Sequence, residues 1–141
     1  MSVMQVEVVS NELSIFSGEA SFVVVPTVQG ELGIYPRHEP VMSLVRPGAL
    51  RLQVPGQAEE VLVAVSGGVL EVQPNKLTVL ADVAVRSAEM DEARAAEAKK
   101  AAEASIAQAQ DADSLAKAQA ALAAAIAELK TLDYIRTQKH K

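Results

Sequence analysis

Within the first 86 residues apolar positions recur every second residue in several places. Leu50, Leu52 and Val54 alternate with Arg51 and Gln53, and Val61, Val63 and Val65 alternate with Leu62 and Ala64. A period of two sends neighbouring side chains to opposite faces of a pleated ribbon, so these runs predict β-strands. Pro55-Gly56 separates the two runs, and Pro74-Asn75 separates residues 68–73 from 76–81. Both are turn dipeptides, and strands joined so closely pair as antiparallel hairpins. Short strands with frequent turns predict a sandwich or flattened barrel.

Beyond residue 86 the period changes. Ser87 is placed to cap a helix whose first turns carry Glu89, Asp91 and Glu92, acids that the helix macrodipole favours there. This helix is predicted to run to about Ala109, with Ala95, Ala98, Ala102, Ile106 and Ala109 on its inner stripe. The stretch Gln110-Asp111-Ala112-Asp113 interrupts the pattern and supplies an aspartate to cap a second helix, from about Ser114 to Ile135. Its inner stripe reads Leu115, Ala118, Leu122, Ile126 and Leu129. A link this short folds two helices back as an antiparallel pair. The expected fold is therefore an all-β N-terminal sandwich or flattened barrel over residues 1–86, followed by an all-α antiparallel two-helix hairpin over 87–141.

Composition sharpens the boundary. All 19 valines, 7 glycines and 6 prolines lie at or before Val85, whereas 19 of the 25 alanines lie between Ala88 and Ala127. Valine suits a pleated half-buried surface, and alanine is the best helix former. Between Asp91 and Ser105 no apolar side chain exceeds alanine. A buried methyl contributes about 0.8 kcal/mol against about 1.5–3 for a leucine, so the helix pair is expected to be loosely held. Alanine-rich helices also keep much of their helicity when they leave a partner. A straightened rod of about 45 residues would reach some 65–70 Å at about 1.5 Å per residue. Two readings of the hairpin stand: a helical appendix or dimerisation module, and a bistable arm that folds on the β part or extends into a partner. The tail from Asp133 to Lys141 places Tyr134, Ile135 and basic groups beyond the inner stripe. That tail suits an acidic surface elsewhere, or simply frays into solvent.

Charge and chemistry narrow the function. With 13 basic and 18 acidic residues and a net charge of -5, the chain offers no basic footprint for nucleic acid. The absence of cysteine excludes a thiolate nucleophile, a Cys-ligated zinc and a redox pair. Apolar runs such as Val61 to Val65 fall far short of the roughly 18–20 residues of a membrane span, and the start MSVMQVEVV has no targeting pattern. A cytoplasm-like compartment is expected, with contact to a membrane complex left open. His38 and His140 stand in unrelated contexts without metal-site spacing. Gly30-Glu31-Leu32-Gly33 has no Gly-Lys-Ser/Thr after it and is no P-loop, and Ser66 is read as a strand-end turn residue. No catalytic group or metal site emerges. The segment GELGIYPRHEPVMSLVRPG, Gly30 to Gly48, packs three prolines, three glycines, Tyr35 and His38 into 19 residues. It reads either as an irregular connection or as a rigid binding loop with Glu31 and His38 as its polar contacts.

Four stretches together resemble the epsilon subunit of bacterial F-type ATP synthases, which corresponds to the mitochondrial delta subunit. They are FSG at Phe16 to Gly18, GELGIYPRHEP at Gly30 to Pro40, SGGVLEVQPNKLTVLADVAVR at Ser66 to Arg86, and MDEARAAEAKK at Met90 to Lys100. The resemblance implies a non-catalytic subunit of the rotary central stalk, peripheral to the cytoplasmic face of a bacterial membrane, whose β domain binds the gamma subunit and rests on the ring of c subunits. Gly30, Glu31, Leu32 and Gly33 would then face the c ring, and His38 would lie near gamma. The hairpin would be an inhibitory arm. When extended towards the catalytic beta and alpha subunits, its basic residues Arg94, Lys99, Lys100, Arg136, Lys139 and Lys141 would oppose acidic loops and hinder ATP hydrolysis.

Some members bind ATP on the hairpin. Here Asp91 and Arg94 match that motif, with Met90 before it where Ile or Leu is usual. The positions aligned with phosphate-binding arginines are Ala124 and Glu128, so ATP binding is expected to be weak or absent and no cofactor is implied. The competing reading is a cytosolic β-sandwich binding module that oligomerises through its alanine-rich helices.

Overall fold

The computed structural model describes residues 2–139. Strands β1 (Met4–Ser10), β2 (Leu13–Ala20), β3 (Phe22–Thr27), β4 (Gly30–Ile34) and β5 (Val41–Val45) are followed by β6 (Gly48–Gln53), β7 (Val61–Val65), β8 (Gly68–Val72), β9 (Lys76–Ala81) and β10 (Ala84–Arg86). After one 3-10 turn at Ser87–Glu89 come helices α1 (Glu92–Gln108) and α2 (Ala112–Lys139). The strands form a single hydrogen-bonded path in the order β10-β7-β6-β3-β5-β8-β9-β1-β2, with β4 added on β3. The path wraps round until the Arg86 guanidinium of β10 stands 5.8 Å from the Phe16 ring centroid of β2, which nearly closes it.

Alternation accounts for the core. Val6 and Val8 of β1, Val63 and Val65 of β7, Leu50 and Leu52 of β6, and Leu77 and Val79 of β9 point inward and are completely or almost completely buried. The turn at Pro55-Gly56 joins antiparallel β6 and β7, and the one at Pro74-Asn75 joins antiparallel β8 and β9, as the dipeptides predict. One pairing has no such local signal, because β1 lies parallel to β9 with partners 71 positions apart in the chain, Val6 opposite Leu77 and Val8 opposite Val79. Only tertiary packing selects it. Gly68 is obligatory where β8 starts beside β9: φ is +139°, and a Cβ there would collide with the carbonyl oxygen of Leu80. Ser66 is indeed a strand-end residue, its Oγ accepting the backbone N–H of Val83 at 3.0 Å.

The helical part differs from expectation at its start. Ser87 opens the 3-10 turn and does not cap α1. Asp91 does so, its Oδ1 accepting the backbone N–H of Arg94 at 2.9 Å. Both residues are good caps, but Asp91 is the one with an N–H of the continuing helix three residues on. At the other interruption Asp111 accepts the N–H of Ser114 at 2.7 Å, and α2 runs 28 residues, past Ile135 to Lys139. The hairpin is antiparallel, since Arg136 near the end of α2 pairs with Glu92 at the start of α1. Its buried seam is Ala95 and Ala102 against Ala118 and Ala125, each pair seven residues apart. Ala98, placed on the inner stripe by sequence, is exposed. At about 100° per residue Ala98 stands roughly 40–60° round from the line through Ala95 and Ala102, at the edge of the seam.

Candidate functional site

The two outer faces of the β structure differ. On the half built from β6 and β7, the outward residues Leu62 and Ala64 are nevertheless buried, because α2 lies across these strands. Ala127 and Thr131 are buried, and Thr131 returns its hydroxyl to the carbonyl of Ala127 at 2.8 Å, so no polar atom is left bare. Alanine, threonine and half-buried Tyr134 thus form a second inward face of α2, on the side turned to the sheet.

At the end of that face lies a cluster of four residues. Arg51 of β6 donates from Nη1 to the Tyr134 hydroxyl at 3.0 Å and stands 5.0 Å from the centre of its ring. The Tyr134 hydroxyl in turn donates to Glu60 Oε1 at 2.6 Å. The other guanidinium nitrogen lies 3.8 Å from Glu31 Oε1 on β4, a loose ion pair. Burial raises the Tyr134 phenol above its ordinary pKa, and its bond to the Glu60 carboxylate adds to this, against the opposing pull of Arg51. Burial works against the charge on Arg51, but Tyr134, Glu31 and Glu60 outweigh it and hold the guanidinium above its ordinary pKa.

Among the described residues the opposite half, β5-β8-β9-β1, has neither helix packed across it as α2 is on β6 and β7. Cross-strand register places Leu44, Val69, Leu80 and Val9 in one row on its outside, with Met42 beside Glu71 two residues along. Met42 is 71% exposed, Leu44 60% and Leu80 55%. A row of aliphatic side chains across four strands is an uncovered apolar surface, which marks an interaction site. The signal was present in sequence: Val41-Met42-Ser43-Leu44-Val45 is apolar on both faces, unlike a strand with one side in water.

The residues singled out from sequence are scattered across these surfaces. Gly30 to Gly33 form most of strand β4, with Glu31 opposite Pro26 of β3 and half exposed, beside Arg51. Gly30 takes φ +114°, the left-handed turn into that strand. His38 lies in the turn between β4 and β5, half-buried, with Nδ1 2.7 Å from the Glu39 carbonyl oxygen. Its neighbour Arg37 donates its backbone N–H to Pro74 at 2.8 Å, which anchors this turn at one end of the bare apolar face. Asp91 is occupied as a helix cap, and Arg94 donates to the Glu89 carbonyl at 2.8 Å. Lys100 is exposed, Lys99 half-buried, and Arg136 is paired with Glu92. Lys141 and the side chain of Lys139 lie outside the described residues, as does His140. The tail does not fray at Tyr134 and Ile135: both are half-buried, and the tyrosine is spent on the head.

Residues 3–87 match the family described as ATP synthase, Delta/Epsilon chain, beta-sandwich domain. The chain belongs to the ATP synthase delta/epsilon family. It is 81% identical over 139 residues, 99% of each chain, to the ATP synthase epsilon chain of Neisseria meningitidis serogroup C / serotype 2a. It is 79% identical to that of Neisseria gonorrhoeae, again over 99% of each. The epsilon chain of Chromobacterium violaceum is 62% identical over 99% of this chain and 100% of its own length. A chain in the structure of the Euglena gracilis mitochondrial ATP synthase, OSCP/F1/c-ring in rotational state 1, shares the fold at a TM-score of 0.71 and 20% identity, covering 95% of this chain and 81% of that one. In this member of the delta/epsilon family no helix among the described residues is long and apolar enough to cross a membrane.

Proposed function

We propose that this chain is a non-catalytic subunit of the central stalk of a proton-translocating F-type ATP synthase, at the cytoplasmic face of a bacterial membrane. It works as two units, residues 1–86 and 87–141. The first binds the gamma subunit and meets the c ring, and the second regulates ATP hydrolysis as a releasable arm. The observation that carries this reading is the inequality of the two outer faces: one is occupied by the chain's own α2, the other is apolar and bare. A part that must stay on a rotating shaft while moving an arm needs two such surfaces.

Met42, Leu44, Val69 and Leu80 supply the apolar contact for gamma, and His38 lies at the end of the same sheet. Glu31 lies on the other side, at the foot of the docked helix, where it would face the c ring. The arm is suited to release because the fully buried apolar residues of its two helices are all alanines, each methyl contributing about 0.8 kcal/mol. Its polar hold on the head is concentrated in Tyr134. Once extended it would bring Arg94, Lys99, Lys100 and Arg136 towards acidic loops of the beta and alpha subunits, where attraction strengthens as water is excluded.

Co-purification tests the head. Met42→Glu with Leu80→Glu should abolish recovery of this chain with the gamma subunit while leaving its far-ultraviolet circular dichroism unchanged, since both residues are exposed. Retention of gamma by the double variant would refute the assignment. Self-association through the helices without any gamma binding would instead favour an oligomerising module.

A further inference from the structure

The seam between the β6 face and α2 contains a cavity of about 180 Å³ lined by Arg46, Arg51 and Lys130, together with Glu31, Tyr134 and the Pro47-Gly48 backbone. Three cations against one carboxylate make it a positively charged pocket. Among the described residues the side chains of Arg46 and Lys130 have no ion pair or hydrogen-bond partner, although each lines the same cavity. Arg51 uses Nη1 on Tyr134 and offers Nη2 to Glu31 at 3.8 Å, which leaves its Nε buried without an acceptor. A buried donor with no acceptor costs free energy in almost any protein interior, so the Arg51 guanidinium stands beside the cavity with bonding capacity unspent.

We propose that this pocket binds inorganic phosphate. Its volume lies below the roughly 300–1,000 Å³ of pockets that take drug-sized ligands, so it suits a phosphate group and not a whole nucleotide. A dianion with several acceptor oxygens matches two guanidinium groups and an ammonium, and charge-assisted hydrogen bonds of this kind are the strong ones. Glu31 is the one carboxylate in the lining; it is half exposed and only loosely held by Arg51, so it can turn to solvent, while Glu60 lies beyond Tyr134 and is engaged by its hydroxyl.

The placement of the three cations gives the site a consequence. Arg46 and Arg51 belong to the head, and Lys130 belongs to α2, so phosphate joins the two parts and stabilises the docked hairpin. This consequence rests on the reading of α2 as a releasable arm. Phosphate is consumed when ATP is made, so the ion would hold the arm down when substrate for synthesis is abundant.

Titration of the isolated full chain with inorganic phosphate, at ionic strength held constant with chloride and followed by amide NMR, tests the site. Saturable shifts at Gly48, Ala49 and Lys130 are expected. Arg46→Ala and Lys130→Ala should each weaken binding about tenfold, the size of one charge-assisted hydrogen bond. Both residues are exposed, so neither variant threatens the fold. At ten times the dissociation constant, hydrogen exchange at Thr131 and Tyr134 should slow about tenfold, as expected when a ligand binds only the docked form. Non-saturating shifts, binding by both variants as tight as that of the wild type, or preference for ADP over phosphate would overturn the assignment. Phosphate binding without slower exchange would overturn the link to docking, and gamma co-purification with the variants reports separately on the stalk reading.

Discussion

Tyr134 is the side chain on which most depends. It reaches from the last turns of α2 to two charged groups of the head, accepting from Arg51 and donating to Glu60. Tyr134→Phe keeps the ring and removes both bonds, so it should shift docking by about 1–2 kcal/mol, near the low end for bonds to charged groups because the site is partly wet. Faster hydrogen exchange confined to α2 and to Leu62 and Ala64 beneath it would report this. Titration gives a second check. The phenol pKa is raised in the docked form, so its contribution to docking is complete below the ordinary value of 10.0 and is lost as pH rises through the raised value. The wild type should therefore release the arm in an alkaline step that Tyr134→Phe lacks, visible as the tyrosinate absorbance change coinciding with loss of protection in α2. None of this was legible from sequence. Tyr134 stood in a basic tail beyond the expected inner stripe, and its partners Arg51 and Glu60 lie 83 and 74 residues away.

At the scale of elements, the strands and helices were readable because each has one dominant period. The parallel pairing of β1 with β9 was not, and neither was the second inward face of α2. A helix that packs on both a sheet and another helix mixes two stripes, and in α2 they overlap as Ala118 and Ala125 for α1, with Ala127 and Thr131 for the sheet. Helix boundaries turn on caps, and the Asp111 cap makes a prediction about pH. The Ser114 N–H bond lowers the Asp111 carboxyl below its ordinary pKa of 3.8. A lowered folded pKa gives stability that is present above the ordinary value and lost as pH falls through the folded one. Asp111→Asn caps as well at neutral pH but does not titrate. Circular dichroism at 222 nm should accordingly fall more as pH drops below the ordinary value in the wild type than in the variant. Equal loss in both would assign the acid sensitivity elsewhere.

For the whole molecule, the family and the two-part layout were legible from short motifs and composition, while the two unequal outer faces required the assembled sheet. The bare row across β5, β8, β9 and β1 depends on register between strands far apart in sequence. Division of labour between the parts predicts that deleting residues 88–141 leaves assembly and proton pumping intact, and that ATP hydrolysis by the complex rises or stays the same. Failure to assemble would place a structural role in the hairpin. The most direct measurement is the position of α2 inside the assembled synthase. The chain has no cysteine, so Gln53→Cys on β6 and Gln119→Cys on α2 can carry a unique pair of spin labels. The account predicts a single short distance in the isolated chain, and in the complex under hydrolysing conditions a second population longer by tens of ångströms, on the scale of a helix rising about 1.5 Å per residue. One unchanging short distance in every state of the motor would contradict it.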